Sequence, residues 1–159
     1  MEDYIQPINL FLSCLAFLLI AQWYLIPVLL KRPREEALQP LLLLHSFRHF
    51  GLMFLASGAV KFELPTQFAI PAALGDLIAS LLAFLALAFI RLNWKPAIFM
   101  VWLFNLEGTV DLFNALIQGI RYKTWNGMGA TFWIPSLIVP ALLVAHYIIF
   151  LLLLRPSDK

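Results

Sequence analysis

Seven ionisable side chains lie inside long apolar runs of this 159-residue sequence: His45, Arg48, His49, Asp76, Glu107, Asp111 and His146. A charge at the centre of a bilayer costs at least ~2.5–3.5 kcal/mol on insertion scales, so such residues face a bundle interior, pair with each other, or serve function. Asp76 and Asp111 fall at similar depth and could share a proton, because like charges in a low-dielectric site resist ionising together. That suits a proton relay or acid/base chemistry. Arg48 either snorkels to the cytoplasmic headgroups or pairs with Glu107, each neutralising the other. His45 and His49, at i and i+4, could share a metal, and His49 with His146 could be axial haem ligands on separate helices. No carboxylate stands at a diagnostic metal spacing to either pair, so the expectation is no metal and no cofactor. Glu107, Asp111, His49 and His146 are the acid/base candidates. The expected ligand-contacting set is Arg48, His49, Asp76, Asn105, Glu107, Asp111, Asn114 and His146.

Long apolar segments must position these groups. Five of them, at about 8–30, 41–60, 66–90, 96–118 and 131–154, match the ~20 residues needed to cross ~30 Å of hydrocarbon. The expected fold is an all-α integral membrane bundle of five transmembrane helices forming a single domain. Pro40 and Pro96 read as first-turn prolines, and Asn93 as the N-cap of the fourth helix. Pro135 and Pro140 are expected to kink the fifth. Along the second segment, helical spacing aligns His45, His49, Leu52 and Ala56, with Arg48 on the flank. The third carries Asp76 on a small-residue face with Ala72, Ala79, Ala83 and Ala86, which permits close helix approach. The fourth carries Glu107, Asp111, Asn114 and Gln118 in one stripe and reads as the central helix. By depth the ionisable groups form two layers, His/Arg/Glu below and Asp/Asp above.

Composition agrees with a membrane class. Hydrophobic residues make up 62% and charged residues 13%, against about 45–50% and 25% in soluble domains. The net charge of +2 argues against nucleic-acid binding, and Cys14, the one cysteine, allows no intrachain disulfide. The first apolar run has no basic region before it and no small-residue cleavage site, so it reads as a retained span. Lys31, Arg32, Arg34, Arg91, Lys95, Arg155 and Lys159 fall on one side; Lys61, Arg121 and Lys123 fall on the other. The positive-inside rule then puts the N-terminus outside and the C-terminus in the cytoplasm. Tyr4, Trp94, Tyr122, Trp125 and Trp133 sit where interfacial aromatic rings anchor. The connection from Gly119 to Ala130 reads as the longest and most mobile.

Arg48-X-X-Gly51, Gly58-X-X-Lys61 and Gly75-Asp76 resemble the opening half of DoxX-like small bacterial membrane proteins, over roughly residues 48–118. That resemblance implies a four-helix core with a glycine-acid pair. This chain departs from it by an additional N-terminal span and by aspartate in place of glutamate. His45-X-Phe47-Arg48, Gly75-Asp76, Asn105-X-X-Gly108-X-X-Asp111 and Val139-Pro140 with His146 also resemble a small uncharacterised group of bacterial integral membrane proteins. This second likeness implies a multi-pass protein of the bacterial inner membrane and supplies no activity.

Three functions fit these residues. The first is binding or transport of a small or amphipathic, lipid-like ligand, coupled to protons through Asp76, Glu107 and Asp111. The second is a membrane-embedded acid/base enzyme acting on a lipid or isoprenoid. The third is a structural or accessory subunit. Membrane lipid is the expected surrounding partner, and the small-residue faces leave room for a homo-oligomer.

Overall fold

The computed structural model describes residues 2–156; Lys159, counted above with the basic side, lies outside them. Among the described residues the chain is helical and has no strand. Helix α1 runs over Glu2–Ile20 and continues through a π-helical turn, Ala21–Leu25, into Ile26–Leu29. Helix α2, Arg34–His45, is drawn out into a 3₁₀ helix, Ser46–Leu55. Helices α3, Thr66–Arg91, and α4, Ala97–Arg121, follow, and α5, Val139–Leu154, is preceded by a second π turn at Ile134–Ile138. Three stretches are long and apolar enough to cross a membrane: Tyr4–Leu29, Thr66–Arg91 and Gly129–Leu154.

Proline chemistry explains both π turns. A proline ring collides with the carbonyl one turn back and supplies no amide to it. Each π turn ends just before such a residue, Pro27 or Pro140, and widening the turn relieves the clash. The Ile26 amide donates to the Ala21 carbonyl, and the Val139 amide to that of Ile134. Pro135 lies within the second π turn and Pro140 just beyond it. Helix α2 begins well before Leu41, so Pro40 lies inside it and not in its first turn.

Asn93 caps the helix before it and not the one after. It adopts φ 52° beyond the end of α3. The Asn93 amide reaches the Ile90 carbonyl at 3.1 Å, and the Trp94 amide reaches that of Phe89 at 3.0 Å. This is a Schellman closure, completed by the Phe89 and Trp94 rings at 4.8 Å. The N-cap of α4 is Pro96.

Helix α5 packs on α1, α2 and α4, and 56% of the most apolar part of Gly129–Leu154 is buried, against 11% for that of Tyr4–Leu29. Helix α4 instead turns Leu106, Val110, Phe113 and Ile117 outward. The residues between α4 and α5 do not form an open loop. They fold as short 3₁₀ turns, Thr124–Asn126 and Gly129–Phe132, tied to the segment after the 3₁₀ helix. The Lys61 amide donates to the Gly127 carbonyl at 2.8 Å, and the Thr131 amide to that of Ala59 at 3.2 Å.

Two apolar clusters fill the bundle. One, toward the end holding the α1–α2 and α3–α4 turns, gathers Ala37, Leu42, Ala79, Ala83, Ala86, Val101 and Ile149. The other, toward the N-terminal end, gathers Phe54, Phe68, Leu112, Met128, Ile134 and Leu142. Between them lies a layer of polar side chains.

Candidate functional site

The 3₁₀ geometry of Ser46–Leu55 decides which side chains enter that layer. With three residues per turn, positions three apart share a face. His45, Arg48, Gly51 and Phe54 are accordingly buried. The α-helical stripe expected through His45, His49, Leu52 and Ala56 is broken: Leu52 and Ala56 are exposed and His49 is half-buried. His49 donates from Nδ1 to the Ser46 carbonyl at 2.8 Å and lies among Phe47 and Phe50, away from the cluster.

Arg48, 2% exposed, is the hub. Its Nε donates to Asp76 Oδ1 of α3 at 2.8 Å, and its Nη2 to Asp111 Oδ2 of α4 at 2.6 Å. Its Nη1 donates to the Gly108 carbonyl at 3.1 Å and faces Nε2 of His146, on α5, at 3.3 Å. Guanidinium nitrogens only donate, so His146 accepts at Nε2 and carries its proton on Nδ1. That proton points at Asn105 Oδ1, 2.7 Å away, and Asn105 Nδ2 returns a bond to the His146 carbonyl at 3.4 Å. One guanidinium thus joins the 3₁₀ segment, α3, α4 and α5.

Three glycines make room for this network. A Cβ on Gly51 would overlap the Asp76 carboxylate, and one on Gly75 would overlap that of Asp111. On Gly108 it would stand 2.8 Å from the His146 ring and press on Arg48. Each glycine clears the space that the acid or base of a neighbouring element occupies.

Several expectations change here. The partners of Arg48 are Asp76 and Asp111, not Glu107. The aspartates and Arg48 meet at one level, so the two separate layers merge. Glu107 is half-buried one turn away, and its Oε2 is enclosed without a hydrogen-bond partner among the described residues. Asn114 is exposed and takes no part. His45, not His49, meets His146, with ring centroids 4.1 Å apart. His45 is fully buried against Phe104, and neither of its ring nitrogens has a hydrogen-bond partner among the described residues. Among the described residues no group of three or more His, Cys, Asp or Glu is arranged to hold a metal ion. Both nitrogens of His146 are engaged within the network, which leaves none for an axial haem bond.

The charges do not balance. One guanidinium stands against Asp76, Asp111 and Glu107, while His146 is held neutral. Asp76 Oδ2 and Asp111 Oδ1 have no hydrogen bond within the described protein. Sequence reasoning found the charged residues but not the cradle glycines as a set, nor His45 as the neighbour of His146. The glycines did stand in the motifs Arg48-X-X-Gly51, Gly75-Asp76 and Gly108-X-X-Asp111.

A family model described as a domain of unknown function, DUF8737, matches residues 5–154. The DoxX-like resemblance has no counterpart in that match. No curated protein and no solved structure matches the chain.

Proposed function

For this chain, which belongs to the domain-of-unknown-function family DUF8737, we propose a multi-pass protein of the bacterial inner membrane that binds or moves a small or amphipathic ligand with proton coupling at Asp76, Asp111 and Glu107. Three apolar stretches of membrane-spanning length support the location. Lys31, Arg32, Arg34, Arg91, Lys95 and Arg155 gather at one end, which supports a cytoplasmic C-terminus and an outer N-terminus by the positive-inside rule.

The observation that carries the reading is the excess of carboxylates around one buried guanidinium, with carboxylate oxygens left unpartnered. Such an arrangement cannot stay fully ionised in a low-dielectric interior and takes up a proton or a cationic group. Protonating either aspartate weakens its hold on Arg48, which links proton uptake to the packing of four elements. The acid/base enzyme reading finds less support, because His146 spends both nitrogens inside the network.

Proteoliposomes with a pH dye inside and an imposed pH gradient test the coupling. Wild-type protein is expected to pass protons in the presence of lipid extract, and Asp76→Asn or Asp111→Asn to stop it. Flux equal to that of empty liposomes, with no small molecule retained on purification, would sink the proposal.

A further inference from the structure

The cluster is not sealed equally on its two sides. A cavity of about 30 Å³ lies in the N-terminal half, and Asp76 is part of its wall. Gln6 from α1, Phe54 from the 3₁₀ helix, Phe68 from α3, Leu116 from α4 and Pro135 from the π turn contribute to the rest. We propose that this cavity is a water pocket open to the N-terminal end only, through which Asp76 exchanges its proton with the aqueous phase. The inference deepens the proton-coupled reading and rests on it for the meaning of the proton, though not for the presence of water.

Size and chemistry both favour water. A single water needs ~10–15 Å³ on this measure, so the cavity has room for about two. Asp76 Oδ1 is held by Arg48, whereas Oδ2 has no hydrogen bond within the described protein. A carboxylate oxygen left bare costs more than confining one water beside it. Gln6 is the other polar residue of the wall, which is otherwise apolar. The groups facing Asp76 are Arg48 from the 3₁₀ helix, Asp111 and Glu107 from α4, and His146 from α5; α1 brings the uncharged Gln6.

On the other side the cluster meets His45, fully buried between Phe104 and His146. Beyond it Ala79, Ala83 and Val101 are 0% exposed. His45 has no hydrogen-bond partner among the described residues, and the closely packed apolar side chains beyond it form the closed end of the proposed path.

Thiol accessibility tests this directly. In a Cys14→Ser background, Ala115→Cys and Leu116→Cys place thiols on the cavity wall, while Ala83→Cys and Val101→Cys place them in the opposite half. Silver ion, water-sized and thiolate-reactive, is added to one face of sealed, oriented vesicles, and the remaining thiol is read with a maleimide dye after unfolding. The cavity thiols should react roughly tenfold faster from the N-terminal face, since only a hydrated thiol ionises to the reactive thiolate. The other two should stay unreacted from both faces. If the cavity variants fail to fold, Gly119→Cys replaces them, because its Cβ would meet nothing nearer than Thr124 Oγ1 at 3.5 Å. Cavity thiols as slow as the controls would show a dry pocket, and equal rates from both faces a through-path; either result overturns the proposal. The expected labelling without proton flux in proteoliposomes would retain the pocket and remove the transport reading; flux without labelling would do the reverse.

Discussion

The two halves of this bundle solve the same packing problem with different materials. Toward the basic end, α3 presents Ala79, Ala83 and Ala86, and regular helices bury them fully. Toward the N-terminal end, Phe54, Phe68 and Met128 pack around a 3₁₀ helix and a π turn, and a cavity remains. Small side chains let helix axes approach until backbone meets backbone, which excludes solvent. Bulky rings on irregular backbone cannot interdigitate as closely. The buried ion cluster sits at the border and therefore has a closely packed apolar face and a face with a cavity.

The largest test removes the border itself. Arg48→Ala leaves Asp76 and Asp111 buried without their cation and should cost ~3–5 kcal/mol in detergent unfolding titrations. Combining it with Asp76→Asn and Asp111→Asn should recover part of that loss; strictly additive losses would show that the groups do not act together.

Filling each half in turn then sharpens the contrast. Ala83→Leu adds volume where there is none and should cost ~1–3 kcal/mol. Ala115→Leu, beside the cavity, should cost less than ~1 kcal/mol on the same scale. Equal penalties would mean that the halves are packed alike.

The helix ends should show the smallest effects. Asn93→Ala, at φ 52° after α3, forfeits a residue suited to the left-handed region and should cost ~1 kcal/mol. Lys123, at φ 47° after α4, holds the same conformation with a less suitable side chain. Lys123→Gly should therefore stabilise by up to ~1 kcal/mol. Thermal unfolding of the purified protein reads both; a loss on Lys123→Gly would count against the cap.

Much of the architecture was legible because apolar length and proline position are local signals. The residues of the site were legible because buried charge is rare in apolar runs. What the sequence concealed was register. His45, His49 and Leu52 read as one face at α-helical spacing, whereas the 3₁₀ helix turns Arg48 and Gly51 inward. That single change of period exchanges His49 for Arg48 and gives Arg48 its aspartates. The Arg48–Glu107 pairing failed for a related reason: depth along separate helices does not say which side chains meet across them. Asn93 was misjudged because asparagine suits both ends of a helix, and only its φ distinguishes the two.

The 3₁₀ helix also sets a length. Twelve α-helical residues at ~1.5 Å each and ten 3₁₀ residues at ~2.0 Å each reach ~38 Å. The 26 residues of α3 reach ~39 Å at α-helical rise. The stretched segment thus draws level with its neighbour while using fewer residues. Winding it back into an α-helix would shorten it by ~5 Å, about one turn, and leave one end of the bundle uncovered.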